Sequence, residues 1–219
     1  FDILEFAGLH PSIISGAGLM SIIKQGKIGN AKVGAGDWLV IEADESDGSI
    51  VQYKPKIGLL LNIDKDHQEI DELINIFDIY KNNSEKFVVN QSHSLAKQLS
   101  QDIKNDFSSD KNISAGYVAS DFKQEGLTIH FKINGIDFTL NQVGKHNMEN
   151  ALAATAIAVQ LGVDLKTCSE ALKHYEGIYR RHQILGNKKG VWLIDDYAHN
   201  PVKCAAAIEA CQPVASKVI

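Results

Sequence analysis

Three short apolar runs in the first ninety residues predict buried strands. They cover residues 38–41, 57–61 and 87–89, and none of them alternates with polar side chains. Continuous apolar runs of this length are typical of strands that are covered on both faces, as in a parallel sheet. The pattern therefore indicates a sheet that lies inside the molecule.

Helical periodicity separates and follows these runs. Apolar side chains recur at steps of three and four over residues 69–81, which predicts an amphipathic helix. Leu95, Leu99 and Ile103 recur at steps of four and predict a further helical segment. Strands that alternate with helices indicate βαβ crossovers and hence an α/β fold with a mostly parallel sheet flanked by helices.

A different pattern follows at residues 127–140. Apolar and polar residues alternate over 127–133 and again over 136–140, with Asn134-Gly135 between the two segments. An Asn-Gly pair between two alternating strands is a strong signal for a hairpin turn. We therefore expect an antiparallel hairpin extension with one face in solvent.

The rest of the chain predicts two helices, a domain boundary and a new βα unit. An Ala-rich helix is expected over residues 147–161, and Asp164 is a suitable N-cap for the next helix. The polar, basic stretch 178–190 predicts a boundary between domains. A strand is expected over residues 191–194, and Pro201 is suited to the first turn of the helix that follows.

Composition narrows the class of protein. The chain has 219 residues, a formal net charge of −5 and 44% hydrophobic residues, which is typical of a globular protein. An acidic balance argues against a nucleic-acid partner bound through its phosphates. No apolar run approaches the ~20 residues that span a bilayer, so no membrane partner is expected. Three cysteines without metal-type spacing suit a reducing compartment, and we expect a cytoplasmic protein. Nothing in the pattern determines the oligomeric state.

Acidic residues follow the first predicted strand. The cluster at residues 42–47 begins with Glu42. Ligands of open α/β sheets bind beyond the carboxyl ends of the strands, and carboxylates placed there can hold a divalent cation together with phosphates. The alternative is a solvated acidic loop.

Asp66-His67 follows the second predicted strand. If the two strands are neighbours, His67 and Glu42 approach each other at one edge of the sheet. The alternative is a helix-capping Asp beside an exposed His, because Mg²⁺ prefers oxygen ligands to imidazole.

Two polar motifs lie further along the chain. Asn147 and Asn150, three residues apart at the start of the Ala-rich helix, can pair with the edge of a base or can serve as caps. Arg181, near the boundary, can reach a phosphate, and Asp196 can accept hydrogen bonds from ribose hydroxyls. Alternatively, Arg181 pairs with a surface carboxylate and Asp196 caps the helix at Pro201.

Several common catalytic motifs are absent from the sequence. It contains no Gly-x-x-x-x-Gly-Lys-Ser/Thr phosphate loop and no Gly-x-Gly-x-x-Gly after a strand. It also contains no Gly-x-Ser-x-Gly nucleophile elbow and no His-Glu-x-x-His zinc motif. The phosphate loop of a nucleotidase is therefore not in this chain, and a nicotinamide-dependent dehydrogenase is disfavoured.

Taken in order, these motifs resemble the Mur ligase family. The resemblance rests on the order and spacing of five segments and extends over nearly the whole chain. The segments are Glu42-Ala43-Asp44-Glu45-Ser46-Asp47, Asn62 with Asp66-His67, Gly144-Lys145-His146-Asn147 with Asn150, Arg180-Arg181, and Asp195-Asp196-Tyr197-Ala198-His199-Asn200-Pro201. Within the family, the alanine-adding type is the most similar, and the murein tripeptide ligase type is the alternative.

The resemblance implies a domain layout. Residues 1–180 would be a central ATP-binding domain that lacks its phosphate loop, and residues 181–219 would begin a C-terminal Rossmann-like domain. The chain starts at Phe1 rather than Met, and residues 215–219 have the pattern of a strand that is only beginning. We therefore expect a piece of a longer polypeptide that is inactive on its own.

The resemblance also implies roles for individual residues. Glu42 and His67 would be metal-associated and catalytic, with Mg²⁺ as the metal. Asn147 and Asn150 would lie beside the adenine of ATP, and Asp196 near its ribose. Arg181 would reach the ATP phosphates and be both catalytic and ATP-binding.

The implied reaction is ATP-dependent amide formation between UDP-N-acetylmuramate and L-alanine through an acyl phosphate, in peptidoglycan precursor synthesis. A metal-dependent hydrolase that uses the acidic cluster with His67 is the alternative from another class of enzyme. A non-catalytic relative is disfavoured, because such a protein needs none of Glu42, His67, Arg181 and Asp196.

Overall fold

A computed structural model describes residues 1–65, 69–199 and 201–218 of the chain. The helices are α1 (Asp2–Phe6), α2 (Met20–Ile23), α3 (Ile70–Asn83), α4 (Lys145–Gln160), α5 (Leu165–Lys173) and α6 (Pro201–Cys211). The strands are β1 (Ser12–Ile14), β2 (Ala31–Lys32), β3 (Leu39–Ile41), β4 (Ile57–Leu60), β5 (Lys86–Val89), β6 (Phe107–Ser108), β7 (Tyr117–Glu125), β8 (Thr128–Ile133), β9 (Ile136–Leu140), β10 (Gln183–Lys188) and β11 (Val191–Asp195). No helix in these ranges is both long and apolar enough to cross a membrane.

The sheets combine parallel and antiparallel pairs, and the expected α/β class is confirmed. β1 lies between β2, which is antiparallel to it, and β3, which is parallel to it. β4 and β5 form a second parallel pair, and a bridge between Asn90 and Phe107 links β5 to β6. β6 runs parallel to β7, and β7, β8 and β9 form an antiparallel meander. β10 and β11 form a separate hairpin.

Helix α4 packs its small side chains into the main core. Ala151, Ala153 and Ala156 are buried, and α4 contacts β6, β7 and β8 on one side and α5 on the other. Alanine allows a close approach of the helix to its neighbours without loss of helix propensity. A second core lies under α3, which buries Leu73 and Phe77 against β4 and β5.

One buried carboxylate ties β5 to the segment before β6. Asp106 accepts hydrogen bonds from the backbone N–H of Val89 at 2.9 Å, from Nε2 of Gln91 at 2.7 Å and from the hydroxyl of Ser100. Burial raises the pKa of Asp106, and the bonds from Ser100, Val89 and Gln91 oppose that shift. A fully buried carboxyl requires such partners, because an unsatisfied one is costly.

Three predictions from short sequence signals are confirmed. The hairpin turn lies at Asn134 and Gly135, both with positive φ (47° and 83°), as a primed turn requires. Asp164 caps α5, since its carboxylate accepts from the backbone N–H groups of Lys166 and Thr167. Helix α6 begins at Pro201, as expected.

Three local expectations were wrong. The helical repeat through Ile103 yields only a short 3-10 helix, Ala96–Leu99, because the polar side chains that follow bond to nearby groups instead of continuing a helix. No strand was expected at residues 183–188, which form β10; backbone pairing with β11 stabilises it despite its polar sequence. Residues 215–218 form no strand; they follow the short 3-10 helix Gln212–Val214.

The strand order also differs from the simplest expectation. β3 and β4 were considered as possible neighbours, but within the described sheets β3 pairs with β1 and β4 pairs with β5. The strand β1 was not expected at all. Its apolar run, Ile13-Ile14, is only two residues long, so periodicity does not reveal it.

Candidate functional site

Glu42 lies where two parallel strands end together. β1 and β3 run side by side, and the backbone N–H of Glu42 extends their pairing by donating to the carbonyl of Ile14. The carboxylate then turns to the loop after β1. Its Oε2 accepts a hydrogen bond from Ser15 Oγ at 3.0 Å and another from the backbone N–H of Gly16 at 2.7 Å.

Little room is left for a side chain at position 16. A Cβ on Gly16 would lie 3.3 Å from Oε2 of Glu42, closer than most real contacts. Glycine therefore lets the backbone approach the carboxylate closely enough to donate a hydrogen bond. With Oε2 fixed in this way on an exposed side chain, Oε1 of Glu42 is suited to a hard cation, which prefers oxygen ligands.

The loop after β1 also contacts the segment that leads to the arginines. The carbonyl of Gly18 accepts from the backbone N–H of Tyr179 at 2.8 Å, and Leu19 forms a bridge with Ile178. The backbone N–H of Met20 donates to Gly177 at 3.0 Å. Residues 15–20 therefore connect the carboxylate of Glu42 to the residues just before the two arginines.

The two arginines have different surroundings. Arg180 has a positive φ of 57°, and its Nε donates to Asp195 Oδ2 at 3.2 Å. Arg181 is exposed, and its guanidinium carbon lies 6.0 Å from the centre of the Tyr197 ring. Among the described residues Arg181 makes no ion pair, so the alternative of a pair with a surface carboxylate applies to Arg180 instead. Arg181 is the arginine available to a ligand.

The carboxylate of Asp196 contacts neighbouring residues of this chain. Its Oδ2 accepts from the backbone N–H of His182 at 2.8 Å and lies 3.2 Å from His182 Nδ1. Its Oδ1 accepts from the backbone N–H of Ala198 at 2.8 Å. In the part of the chain that is described, no hydrogen bond from α6 reaches this carboxylate, so Asp196 tightens the turn after β11 rather than capping α6.

The start of α4 lies close to this turn. The rings of His146 and His182 have centroids 5.1 Å apart. Burial lowers the pKa of His146, with a smaller contribution of the same sign from His182. Asn147 donates from Nδ2 to the carbonyl of Val143 at 2.8 Å, which is not a cap, because an N-cap side chain accepts from backbone N–H groups and the N-cap of α4 is Gly144; its Oδ1 is left for a ligand. Asn150 is exposed.

A cleft of about 260 Å³ opens beside residues 179–182, the turn that contains both arginines and is called the arginine turn below. Arg181 and His182 line one side of it, and Lys24 lines another. Lys24 forms an ion pair with Glu176 at 3.0 Å, so the positive charge of this lysine is partly compensated. The cleft places Arg181 at the rim of a cavity rather than on a flat surface.

His182 thus links Asp196 to the start of α4, the helix that carries Asn147 and Asn150, and it directly follows Arg181. Residues 15–20 link Glu42 to the segment just before the arginines. His67 lies outside the described residues, so its expected approach to Glu42 remains a prediction. Within residues 1–65, 69–199 and 201–218, no three His, Cys, Asp or Glu side chains converge as a metal-binding group.

Sequence reasoning missed three residues of this region. Ser15 and Gly16 fix Glu42, and the small-residue run from Ser15 to Gly18 directly after an apolar pair was the available signal. His182 contacts Asp196, but nothing in its sequence context distinguishes it from a surface histidine.

Together, the fold and this arrangement define a mixed α/β domain with an acidic strand end and an arginine turn linked by one loop. A family profile described as the Mur ligase middle domain matches residues 24–158. The chain belongs to the Mur ligase family.

Individual relatives agree with this assignment. The chain is 36% identical to the UDP-N-acetylmuramate–L-alanine ligase of Desulforapulum autotrophicum, over 95% of this chain and 47% of that protein. It is 35% identical to the enzyme of the same name from Syntrophomonas wolfei, over 97% of this chain and 48% of that protein. The chain therefore spans about half the length of the curated relatives that it matches.

Solved structures share the fold. The UDP-N-acetylmuramate–alanine ligase MurC of Thermotoga maritima superposes with a TM-score of 0.86 at 24% identity, covering 99% of this chain and 50% of that one. A murein peptide ligase from Psychrobacter arcticus gives a TM-score of 0.71 at 22% identity, with 96% of this chain and 50% of that chain covered.

Proposed function

We propose that the protein containing this chain is a cytoplasmic, ATP-dependent ligase that joins L-alanine to UDP-N-acetylmuramate in peptidoglycan precursor synthesis. The support is the identity of 35–36% to two ligases of that name, which extends across both the Glu42 region and the arginine turn. The one structural observation that carries the proposal is the loop 15–20, which connects Glu42 to the segment before Arg181.

The domain assignment belongs to the same proposal. Residues 1–180 would form the ATP-binding middle domain, and residues 181–219 would begin the domain that follows it. The described residues of the β10–β11 hairpin and α6 are mostly exposed, in contrast to α4 and the alternately buried strands β8 and β9. A boundary within residues 178–190 is consistent with that difference in burial.

The reaction proceeds in two steps that require no protein nucleophile. A carboxylate oxygen of UDP-N-acetylmuramate attacks the γ-phosphorus of ATP, which forms an acyl phosphate and releases ADP. The amine of L-alanine then attacks the acyl carbon, phosphate leaves, and the nitrogen loses a proton to give the amide. Positioning and charge neutralisation carry most of such catalysis.

Glu42 is assigned to a Mg²⁺ site. Its chemistry fits, because one carboxylate oxygen is fixed by Ser15 and Gly16 and the side chain is open to solvent. A magnesium ion bound there would neutralise charge on phosphate oxygens. His67 is proposed as its neighbour at the metal, as the family resemblance implies.

The remaining residues are assigned to ATP. Arg181, exposed at the rim of the cleft, would contact the phosphates and add positive charge as the transition state forms. Asp196 would accept from a ribose hydroxyl through Oδ1, which still has an acceptor position after its bond from Ala198. Asn147 and Asn150 would lie beside the adenine, Asn147 through its Oδ1.

An omission experiment tests the proposal. The protein containing this chain is incubated with ATP, Mg²⁺, UDP-N-acetylmuramate and L-alanine, and ADP release and amide product are measured together. We expect both only when every component is present. Product formation with a tripeptide in place of L-alanine would identify the murein tripeptide ligase type. Hydrolysis without ATP or amino acid would identify the metal-dependent hydrolase.

A further inference from the structure

Hydrogen bonds join residues 180–182, in the arginine turn, to residues 195–197. The backbone N–H of Tyr197 donates to the carbonyl of Arg180 at 2.9 Å, and the side chain of Arg180 bonds to Asp195. The backbone N–H of His182 donates to Asp196. His182 lies at the centre of this contact and is the buried member of the turn, with 9% of its surface exposed.

Both ring nitrogens of His182 face hydrogen-bond acceptors. Nδ1 lies 3.2 Å from Asp196 Oδ2, and Nε2 lies 3.3 Å from the carbonyl oxygen of Ala207 in α6. A carboxylate and a carbonyl can only accept, so the two contacts together require the doubly protonated, cationic ring, whereas a neutral ring makes one of them as a donor. The ring thus links three elements: the arginine turn, the end of β11 and α6.

The position of His182 determines the orientation of the neighbouring carboxylate. Oδ2 of Asp196 is occupied by the backbone and ring of His182, whereas among the described residues Oδ1 accepts one hydrogen bond, from the backbone N–H of Ala198. These contacts hold the carboxylate in its orientation. Oδ1 is the oxygen left for a ligand hydroxyl.

Titratable groups from two helices lie near His182 and Asp196. His146 of α4 lies against its ring, and Glu149 of α4 interacts electrostatically with His146. Cys211 of α6 is close enough to Asp196 for that carboxylate to raise the pKa of the thiol, after the larger effect of burial. Asp196 is the anion in direct contact with His182 among the described residues.

We propose that His182 is a positioning residue: its Nδ1–H fixes Asp196 with Oδ1 directed to the nucleotide, and its Nε2 ties α6 to the arginine turn. The contacts of His182 with Asp196 and with α6 concern this chain alone. The statement that Oδ1 is directed to the nucleotide rests on the proposed role of Asp196 at ATP. His182 itself touches no substrate in this scheme.

Two substitutions separate the two ring contacts. The amide nitrogen of Asn occupies nearly the position of Nδ1, whereas that of Gln reaches the position of Nε2. His182→Asn therefore keeps the donor to Asp196, and His182→Gln keeps the donor to Ala207. His182→Leu removes both donors, and His130→Leu, which removes a histidine bonded to Thr139 in the β8–β9 hairpin, is the matched control.

Hydrogen exchange of the 219-residue chain measures directly whether the ring of His182 holds Asp196 in place. In His182→Gln and His182→Leu, we expect the amide of Ala198, which is bonded to Asp196, to exchange about tenfold faster, as the loss of a charge-assisted bond implies. His182→Asn should stay within about threefold of the parent rate on the same reasoning. Equal rates in the Asn and Gln variants would overturn the proposal, and this comparison holds even if the Leu variant does not fold.

Steady-state kinetics of the protein containing this chain tests the functional part. We expect His182→Gln to raise the KM for ATP about tenfold with kcat changed less than about threefold, because the lost contact acts in nucleotide binding. His182→Asn and His130→Leu should retain the parent KM. A fall in kcat with an unchanged KM, or an equal effect of Asn and Gln, would overturn the assignment. An inactive parent would refute the proposed function, while the exchange result would still decide the positioning role.

Discussion

The Glu42→Ala substitution separates the chemical role of this carboxylate from its structural one. The side chain is exposed, and the described contacts of its carboxylate are the two hydrogen bonds from Ser15 and Gly16. After truncation, both donors can be hydrated, so the loss of stability should be about 1 kcal/mol. For a chain of 219 residues, that corresponds to a fall in Tm of about 2–4 °C.

The expected effect on the reaction is much larger. If the carboxylate holds the cation that neutralises the transferring phosphate, its removal should lower the rate about 10²–10³-fold. In free energy, this is about 3–4 kcal/mol, several times the structural cost. Initial rates of ADP and amide formation at saturating ATP, measured beside a thermal melt, give both quantities on the same protein.

Asp47→Ala is the matched control for Glu42→Ala. Asp47 belongs to the same acidic cluster, and its carboxylate accepts from the backbone of Ser49 rather than facing the loop after β1. We expect its activity to stay within about threefold of the parent, as for a substitution away from the reacting atoms. The reasoning is refuted if Glu42→Ala turns over at a near-normal rate, or if both variants lose activity equally.

Three further predictions concern other residues. Ser15→Ala should raise the Mg²⁺ concentration needed for half-maximal activity about tenfold, because the hydroxyl that donates to Glu42 orients this carboxylate for the metal; a magnesium titration with unchanged dependence would contradict the role of Ser15. Asp106→Ala should lower the free energy of unfolding by about 3 kcal/mol in urea, since three donors lose their acceptor, whereas exposed Asp102→Ala should change it little. Burial raises the pKa of Asp106, so the contribution of this carboxyl to stability is present at low pH and declines as pH rises through the raised pKa. Asp106→Asn should therefore flatten this part of the plot of unfolding free energy against pH. An unchanged plot would refute the raised pKa of Asp106.

Local signals predicted the parts of the fold that depend on neighbouring residues. The turn at Asn134-Gly135, the cap at Asp164 and the helix start at Pro201 depend on backbone geometry within a few residues, and all three are present. The helix α3 was also expected, because its apolar stripe matches the helical period over four turns.

Elements that depend on partners outside their own segment were not predictable in this way. β10 has a polar sequence and is a strand because β11, the next strand of the same hairpin, pairs with it. The apolar repeat through Ile103 indicated a helix, but Ser100 bonds instead to a buried carboxylate six residues further on. In both cases, contacts beyond the segment outweigh its local propensity.

The residues of the candidate site also divide into those that the sequence identifies and those that it does not. Glu42 and Arg181 were identifiable from motif order, and the structure gives them surroundings that suit a cation and a phosphate. Ser15 and His182 were not identifiable, because each acts by fixing another residue that is distant in sequence. Contacts such as that between Ser15 and Glu42, 27 positions apart, become visible only once the strands β1 and β3 lie side by side.

In the proposed reaction, the carboxylate of UDP-N-acetylmuramate is activated as an acyl phosphate. An isotope-transfer experiment measures this step: the substrate carboxylate is labelled with oxygen-18, and the phosphate released during amide formation is analysed by mass. We expect one labelled oxygen in each phosphate, because the bond that breaks lies between the acyl carbon and that oxygen. Phosphate that carries oxygen only from ATP and water would refute the acyl phosphate.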